Sequence, residues 1–324
     1  MAASADQSRE PHLDLTVVGE ALLDIELPAA GGDPDLLAMA GRAGGSPANV
    51  AVGLARLGIA THFAGRIAQD PVGAFIRRHL EASGVDLTRC TPASEPATLA
   101  MFGVDGAGVA SYSFHVEGTA DWQWKPSELF SPPSPAVVHT GSLALALEPG
   151  AGVITAWVRK LRERGDVFVS LDPNVRPAMV AERDRYHDRV ESLVSLAQLV
   201  KASDEDLLLL DPQTPALETA KRWAAGGPEL VVVTHGADGV TAVRAGAAPL
   251  HREAEPVAIV DTVGAGDSFT SALLAFFAQR DALGSAFGAA LDPETVAGAL
   301  EFAARAAAFT CGRAGADPPW TGDL

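Results

Sequence analysis

Short apolar runs rich in β-branched residues alternate along this chain with segments whose apolar residues recur at helical spacing. The run Leu230–Thr234 (LVVVT) is apolar without interruption, which is typical of a strand buried on both faces of a parallel sheet. Further strands are predicted over residues 13–18, 61–67, 137–140, 167–171, 199–201 and 257–260, and helices near residues 49, 71, 150, 204, 215, 267 and 293. The alternation predicts an α/β fold with a mostly parallel central sheet.

The loop between the predicted strand at 257–260 and the next predicted helix carries few side chains. It reads DTVGAGDSFT over residues 261–270, and its glycines allow several backbone N–H groups to point at one spot. That spot lies at the positive end of a helix dipole and would attract a phosphate, with Asp267 at its edge. We expect such a loop and carboxylate to move a phosphoryl group onto a hydroxyl. The alternative is that Asp267 only caps the helix, but a cap does not require the preceding Gly-Ala-Gly.

Three other kinds of glycine-rich site match this loop poorly. A dinucleotide-binding fingerprint would need a third glycine at Phe269, and a Walker loop would need a lysine directly after a glycine, which this chain lacks. A hydrolase elbow would use Ser268, but Thr270 stands where its last glycine is required. A hydrolase of the Gly-Asp-Ser type would need a histidine beyond His251, and none follows.

The charge balance argues against several classes of partner. Acidic residues outnumber basic ones by 41 to 24, and the net charge of −17 repels nucleic acid and anionic membranes. An anionic nucleotide would therefore be met by local groups or by Mg²⁺. No run resembles a signal peptide or a membrane span, and residues 1–12 are predicted to be a disordered tail. Because Cys90 and Cys311 are too few for a disulfide framework, we expect a cytoplasmic protein.

Two polar residues in apolar surroundings are candidates for recognition of a sugar. Asp24 lies in an otherwise apolar segment, so it either reaches solvent at a strand end or binds the hydroxyls of a ligand. Asn49 lies in AGGSPANVA (residues 43–51), and its amide can both donate to and accept from sugar hydroxyls. A helix cap is the alternative for Asn49, and the sequence leaves both questions open.

Residues 98–116 interrupt the strand–helix alternation. Two alternating runs flank Asp105–Gly108 (DGAG), which predicts a β-hairpin inserted as a lid over a cleft. An exposed edge of that hairpin could pair with a second copy of the chain. Trp122 and Trp124 follow it, and we expect both to be packing residues.

Polar residues follow three predicted strands at the edge where open α/β sheets carry their sites. Arg176 lies in DPNVRP (172–177), SDED (203–206) opens a helix, and HGADG (235–239) turns into a further strand. The acids suit either the helix dipole or a hydrated Mg²⁺, and the glycine turn suits either a nucleotide or a plain hairpin. The histidines include no pair at helical spacing, which argues against a histidine metal site.

These motifs, in this order, resemble those of the ribokinase-like (PfkB) carbohydrate kinases, most closely the bacterial fructokinase-type members. DTVGAGDSF resembles the C-terminal signature of the family and AGGSPANVA its N-terminal one, with GTADW, LDPNVRP, KASDED and VVVTHGADG as weaker matches. The resemblance implies a ribokinase-like three-layer α/β fold with a mostly parallel central sheet. One kinase domain would span residues 13–320, with a small β lid inserted at about 98–116.

The resemblance also implies a role for each candidate residue. Asp267 would take the proton from the primary hydroxyl of the sugar, beside an anion hole formed by Gly264, Ala265 and Gly266. The sugar would be bound by Asp24, Gly44, Gly45, Asn49 and Arg176, with Phe102 and Phe114 as apolar contacts from the lid. The nucleotide would be bordered by Thr234, Gly236 and Gly239, with Ser203 and Asp206 near its phosphates and Mg²⁺. K⁺ would be bound near Asp261, Val263, Thr310 and Gly315.

Two departures from the family pattern concern the metal ions. The Asn-x-x-Glu segment of the family reads SDED here, so Asp206 is one methylene shorter than the expected Glu, and Pro319 replaces a small polar residue near the K⁺ site. The predicted function is an ATP-dependent kinase for a primary sugar hydroxyl, with D-fructose as the first substrate. The alternatives are a ribokinase, a 2-keto-3-deoxygluconate kinase, a nucleoside kinase, a sugar-binding regulator without turnover, and a Ser268 hydrolase. A nucleoside kinase would need an aromatic platform, and 6% of this chain is aromatic.

Overall fold

The computed structural model describes residues 13–27, 35–104, 110–180 and 182–324. Its strands are β1 (Asp14–Val18), β2 (Leu22–Leu27), β3 (Ala40–Gly44), β4 (Thr61–Ala64), β5 (Arg66–Ala68), β6 (Thr91–Ala93), β7 (Leu99–Val104), β8 (Ala110–His115), β9 (Ala136–Gly141), β10 (Val167–Asp172), β11 (Leu199–Ser203), β12 (Leu230–Thr234), β13 (Val240–Val243) and β14 (Leu250–Arg252). Its helices are α1 (Ser46–Arg56), α2 (Pro71–Ala82), α3 (Gly150–Arg164), α4 (Arg183–Val194), α5 (Asp204–Leu210), α6 (Ala216–Gly226), α7 (Ala265–Ala278) and α8 (Pro293–Cys311). The tail predicted at 1–12 and the hairpin turn predicted at 105–108 lie outside the described residues.

Eight strands form the central sheet, in the order β14-β13-β12-β11-β10-β9-β1-β4. Neighbouring strands from β4 to β12 pair in parallel, while the hairpin β13–β14 at the far edge is antiparallel. The strands predicted at 137–140, 167–171, 199–201 and 230–234 all lie in the parallel part, so the predicted sheet is confirmed. Parallel strands bring their carboxyl ends to one edge, which is where α/β sheets carry their sites.

Helices cover both faces of this sheet. On β12, Leu230 and Val232 join one core with residues of α1, α7 and α8. Val231 and Val233 of the same strand join a second core with residues of α3, α4 and α6. Because successive strand residues point to opposite faces, a strand between two helical layers must be apolar at every position. This requirement explains the uninterrupted LVVVT run and produces the predicted three layers.

A separate sheet of four strands has the order β3-β2-β7-β8. The strands β7 and β8 correspond to the two runs of the predicted hairpin and pair antiparallel. β2 and β3 complete this sheet and were not predicted, since β3 (AGRAG) consists mostly of glycine and alanine and has no alternating apolar pattern. The predicted lid therefore belongs to a broader sheet that also carries Asp24 on β2.

One buried carboxylate forms hydrogen bonds to two of the segments that connect the two sheets. Asp121 accepts hydrogen bonds from the Ala21 N–H, before β2, at 2.9 Å, and from the Thr98 hydroxyl, before β7, at 2.6 Å. Glu20 lies beside this junction, and its Oε2 accepts from the Ala144 N–H at 3.1 Å. Burial raises the pKa of Glu20 to about 7 and that of Asp121 to about 6.

One of the predicted strands is wrong, and another is divided in two. Residues 257–260 form no strand, and Ile259 and Val260 are 65% and 64% exposed. The Val260 N–H instead donates to the carbonyl of Cys311 at the end of α8, at 2.8 Å, and Pro256 before the run has no N–H for a sheet ladder. The strand predicted at 61–67 divides at Gly65 into β4 and β5, and β5 pairs with β6.

Aspartate caps confirm two of the predicted helix starts. Asp70 accepts from the Gly73 N–H at 2.7 Å at the start of α2, and Asp292 accepts from the Thr295 N–H at 3.0 Å at the start of α8. In both helices the first residue is proline, whose missing N–H would have no helical acceptor there. Within the described ranges, no helix combines the length and apolar character needed to cross a membrane.

Candidate active site

The candidate site is organised by the N-terminus of α7. Gly264 precedes the helix with φ +77°, and a Cβ there would lie 2.4 Å from the Cβ of Ala316, so the position requires glycine. The Ala265 N–H donates to the Thr262 carbonyl at 3.2 Å, and the Ser268 N–H donates to the Gly264 carbonyl at 2.8 Å. The N–H groups of the two residues between them have no acceptor within the helix. Because the Ala265 N–H is engaged in the turn, the candidate anion hole is best served by the N–H groups of residues 266 and 267. A contribution from the Gly264 N–H stays a prediction.

Asp267 is buried, and both of its carboxylate oxygens accept hydrogen bonds from α1. The Ser46 hydroxyl donates to Oδ1 at 2.6 Å, and the Asn49 amide donates to Oδ2 at 2.8 Å. Burial raises the pKa of Asp267 above its ordinary value, and the two hydrogen bonds oppose that rise. A carboxylate with a raised pKa accepts a proton more readily near neutral pH. This arrangement suits a general base.

Two donors of α1 reach Asp267 because of how this helix begins. Gly45 is the N-cap with φ +100°, and a Cβ there would lie 2.7 Å from the Glu20 carbonyl oxygen. Ser46 and Asn49 follow at a separation of three, which places them on one helical face. Asn49 thus lies inside the helix and is not its cap. Ser46 was not predicted as a site residue, and its place in the same motif as Asn49 was the available signal.

Asp24 lies on β2, where neighbouring β3 leaves room for its carboxylate. A Cβ on Gly44 would lie 2.0 Å from Asp24 Oδ2, so the carboxylate keeps this position only while residue 44 is a glycine. Burial, followed by the charge of Asp267, raises the pKa of Asp24 to about 6, and the charge of Arg176 opposes this rise. The guanidinium of Arg176 is exposed and donates to the Val175 carbonyl at 3.1 Å. The structure therefore brings Asp24 within range of the charges of both Asp267 and Arg176.

A buried ion pair lies beneath the first turn of α7, and the sequence analysis missed it. Lys201 Nζ on β11 donates to Asp172 Oδ2 at the end of β10, at 3.0 Å. The Thr270 hydroxyl donates to the same oxygen at 3.2 Å. Burial would lower the pKa of Lys201, but the neighbouring carboxylates, Asp172 foremost, raise it above its ordinary value. A lysine inside an apolar strand was the available signal, because a buried charge requires a partner.

The candidate lid residues differ in their surroundings. Phe114 on β8 lies across from Ala100 and packs against a small cluster that contains Leu22 and Trp122. Trp122 and Trp124 are each 2% exposed, which confirms the expectation that they are packing residues. Phe102 is half-buried on β7. Contact of either phenylalanine with a sugar stays a prediction.

The candidate nucleotide residues lie where β12 turns into β13. Thr234 ends β12, and Gly236 is exposed in the turn with φ +56°. Gly239 serves the hairpin itself, since a Cβ there would lie 2.1 Å from the Arg252 carbonyl oxygen on β14. The turn is closed by the His235 N–H, which donates to the Gly239 carbonyl at 2.8 Å. A hairpin therefore accounts for Gly239, and a nucleotide contact at this turn stays a prediction.

Ser203 and Asp206 form a capping box at the start of α5. Asp206 Oδ2 accepts from the Ser203 N–H at 2.9 Å, and its Oδ1 accepts from the Val175 N–H at 2.7 Å. Both oxygens of Asp206 already accept hydrogen bonds from the protein, and a contact of this carboxylate with Mg²⁺ stays a prediction. Across the described part of the chain, no group of three or more His, Cys, Asp or Glu side chains is placed to hold a metal.

Two loops carry the residues expected to bind K⁺, and the structure brings these loops together. Asp261 accepts from the Gly315 N–H at 2.8 Å and from the Val263 N–H at 3.0 Å. The buried hydroxyl of Thr310 is 2.7 Å from that of Ser268 on α7. The loops thus meet beside the N-terminus of α7, where their backbone carbonyls could serve K⁺.

Comparisons with known proteins identify relatives of the whole chain. Residues 13–321 match the pfkB family carbohydrate kinases. The chain is 35% identical to the fructokinase of Klebsiella pneumoniae, over 82% of this chain and 84% of that protein, and 34% identical to the fructokinase of Rhizobium leguminosarum bv. trifolii, over 78% and 77%. The crystal structure of Xylella fastidiosa fructokinase matches with a TM-score of 0.84 at 28% identity over 96% of each chain. That of Vibrio cholerae O395 fructokinase, with fructose, ADP and calcium bound, matches at 0.79 and 27% over 94% of each. The chain therefore belongs to the pfkB family of carbohydrate kinases and is a sugar kinase.

Proposed function

We propose that this sugar kinase transfers the γ-phosphoryl group of ATP to a primary hydroxyl, with D-fructose as its main substrate. The observation that carries the proposal is the position of Asp267, which is buried at the start of α7 and held by Ser46 and Asn49. The same helical turn supplies N–H groups for an anion. Alignment of a hydroxyl, a base and a stabilised phosphoryl group is most of what such a transfer requires.

In the proposed reaction, the sugar hydroxyl gives its proton to Asp267 as its oxygen bonds to the γ-phosphorus and ADP leaves. The N–H groups of Gly266 and Asp267 stabilise the charge on the transferring group, and one such donor is typically worth about 2.7–4 kcal/mol. Ser46 and Asn49 keep the carboxylate oriented toward the hydroxyl. A positioned base typically contributes about 10²–10⁴-fold.

Fructose is supported as the substrate by the relatives from Klebsiella and Rhizobium, which are fructokinases, and by the Vibrio cholerae structure with fructose and ADP. In this chain, Asp24 would accept hydrogen bonds from the sugar hydroxyls. Its raised pKa of about 6 still leaves it mostly ionised at neutral pH. Arg176 would lie at the same end of the site, near the sugar or the phosphate.

ATP is proposed as the donor on the same comparison, and two metal ions would assist it. Mg²⁺ usually keeps several waters and binds through phosphates and one or two carboxylates. Because Asp206 is engaged with Ser203 and Val175, we place Mg²⁺ chiefly on the phosphates and water, where it would neutralise their charge. K⁺ would bind backbone carbonyls of the loops around Asp261 and Gly315.

The four-stranded sheet would act as a lid, since β2 carries Asp24 and closure over the sugar would exclude water. We also propose a homodimer through this lid. Leu36 and Leu37, just before the edge strand β3, are 68% and 61% exposed. A monomeric elution profile at micromolar concentration would contradict the dimer. The free thiols of Cys90 and Cys311 support a cytoplasmic location.

The experiment that tests this function is a coupled ADP-release screen across ketoses, aldoses, sugar acids and nucleosides, with and without K⁺. We expect fructose to give the highest kcat/KM, and Asp267→Asn serves as the matched control because it keeps the shape of the side chain. If the wild type released ADP no faster than Asp267→Asn with every acceptor, the proposed reaction would be refuted. A higher kcat/KM for another acceptor would replace fructose as the substrate.

A further inference from the structure

The proposed mechanism leaves the buried ion pair beneath α7 without a role. Lys201 and Asp172 are 5% and 1% exposed, and they join the neighbouring strands β11 and β10 at the edge of the sheet where the site lies. Taking two charges out of water often costs more than their attraction returns, so a pair of apolar side chains would stabilise these strands about as well. The presence of charges at this position calls for an electrostatic explanation.

The pair contacts α7 at two points on one helical face. A Cβ on Gly266 would lie 3.0 Å from Lys201 Nζ, so the ammonium lies beside the residue directly before Asp267. Four residues later, the Thr270 hydroxyl donates to Asp172 Oδ2 at 3.2 Å. The cation thus lies against the turn that carries Asp267, and its counter-ion lies against the next turn.

We propose that Lys201 and Asp172 are positioning residues that set the proton affinity of Asp267, with the cation favouring its ionised form and the neighbouring anion limiting that effect. Burial raises the pKa of Asp267 and so makes it more basic toward a sugar hydroxyl, while the cation opposes this rise and the anion supports it. This inference rests on the proposed role of Asp267 as the base. It explains why a charged pair, and not an apolar one, lies at this place.

The remaining groups around Asp267 are consistent with this balance. Asp172 raises and Lys201 lowers the pKa of Asp267, after the larger effects of burial and of the bonds from Ser46 and Asn49. The charge of Asp267 also raises the pKa of Asp24 on β2, so the two carboxylates repel each other.

Two further groups lie near the cation. Asp206 on α5 interacts with Lys201 through its charge. His139 on β9 stays neutral because burial, aided by the charge of Lys201, lowers its pKa to about 3. Lys201 is therefore the cation that acts on Asp267 from beneath α7.

The test is the pH dependence of kcat/KM for Lys201→Met, Asp172→Asn and the double variant. Loss of the cation should move the acid limb to higher pH by on the order of one unit, and loss of the anion should move it to lower pH. The double variant carries no charge at either position, so its acid limb should return close to that of the wild type. Lys221→Met, which removes a half-exposed lysine paired with Glu218 on α6, should leave the limb unchanged.

Circular dichroism checks that each variant folds. For an unstable single variant, saturating sugar stabilises the fold by mass action, and the pH dependence of kcat is compared with that of the wild type under the same conditions. Equal acid limbs in folded single variants would overturn the proposal. The proposal would also be overturned if kcat fell equally at every pH and the double variant did not recover it. That result would indicate that Lys201 contacts the phosphates directly. If both single variants stay unfolded while the double variant folds, the pair serves folding alone. If Asp267→Asn turned over as fast as the wild type, the proposed function itself would be refuted.

Discussion

Replacement of Glu20 by Gln should make the stability of this protein less dependent on pH. Burial, aided by the charge of Asp121, raises the pKa of Glu20 from 4.5 to about 7, although bonds from Ser142 and the Ala144 N–H oppose the rise. The folded state therefore holds this proton more tightly than the unfolded chain does. The resulting stabilisation is fully present below about pH 4.5 and is lost as the pH rises through 7. Each unit by which the pKa differs between the folded and the unfolded chain corresponds to about 1.4 kcal/mol. The rise from 4.5 to about 7 therefore amounts to a loss of roughly 3 kcal/mol.

Glutamine resembles the protonated glutamate and can still accept a hydrogen bond from the Ala144 N–H. We therefore expect Glu20→Gln to match the wild type near pH 4.5 and to exceed its free energy of unfolding by about 3 kcal/mol at pH 8. Urea unfolding at half-unit pH intervals measures this difference. Glu117→Gln, at an exposed position after β8, is the control. Parallel stability curves for the wild type and Glu20→Gln between pH 5 and 8 would refute the reasoning.

Three further changes address the site directly. Asp267→Asn should lower kcat by about 10²-fold or more and leave the Kd for sugar, measured by calorimetry, nearly unchanged; turnover close to native would exclude Asp267 as the base. Gly44→Ala should displace Asp24, since the new Cβ would lie 2.0 Å from its Oδ2, and should raise the sugar KM about tenfold or more; an unaltered KM would remove Asp24 from sugar binding. Asn49→Ala removes a hydrogen bond that lowers the pKa of Asp267, so the acid limb of kcat/KM should move to higher pH, and Ser46→Ala should move it in the same direction. An acid limb that stays in place in both variants would show that these two hydrogen bonds do not control the pKa of Asp267.

Local patterns were sufficient wherever a residue's environment depends on its near neighbours in the chain. The run Leu230–Thr234 predicted a buried parallel strand, because a strand covered on both faces has no position for a polar side chain. Asp70 and Asp292 predicted helix starts, because a cap bonds N–H groups within three residues. The apolar run at 257–260 shows the limit of this reasoning. Its residues have the composition of a strand, but pairing depends on an adjacent strand with free backbone groups, and the run is bonded to the end of α8 instead.

The sequence by itself determined the class of fold, the glycine loop before α7 and the acid at its edge, because each of these is encoded in short stretches of consecutive residues. Only the tertiary structure decided which partners that acid has. Ser46 lies 221 positions from Asp267, and Lys201 and Asp172 meet each other across two strands. Packing of α1, β10 and β11 around α7 brings these side chains together, and no local pattern specifies a contact between residues so far apart in the chain. The proton affinity of Asp267 depends on those contacts, so this property of the enzyme is set by the folded structure.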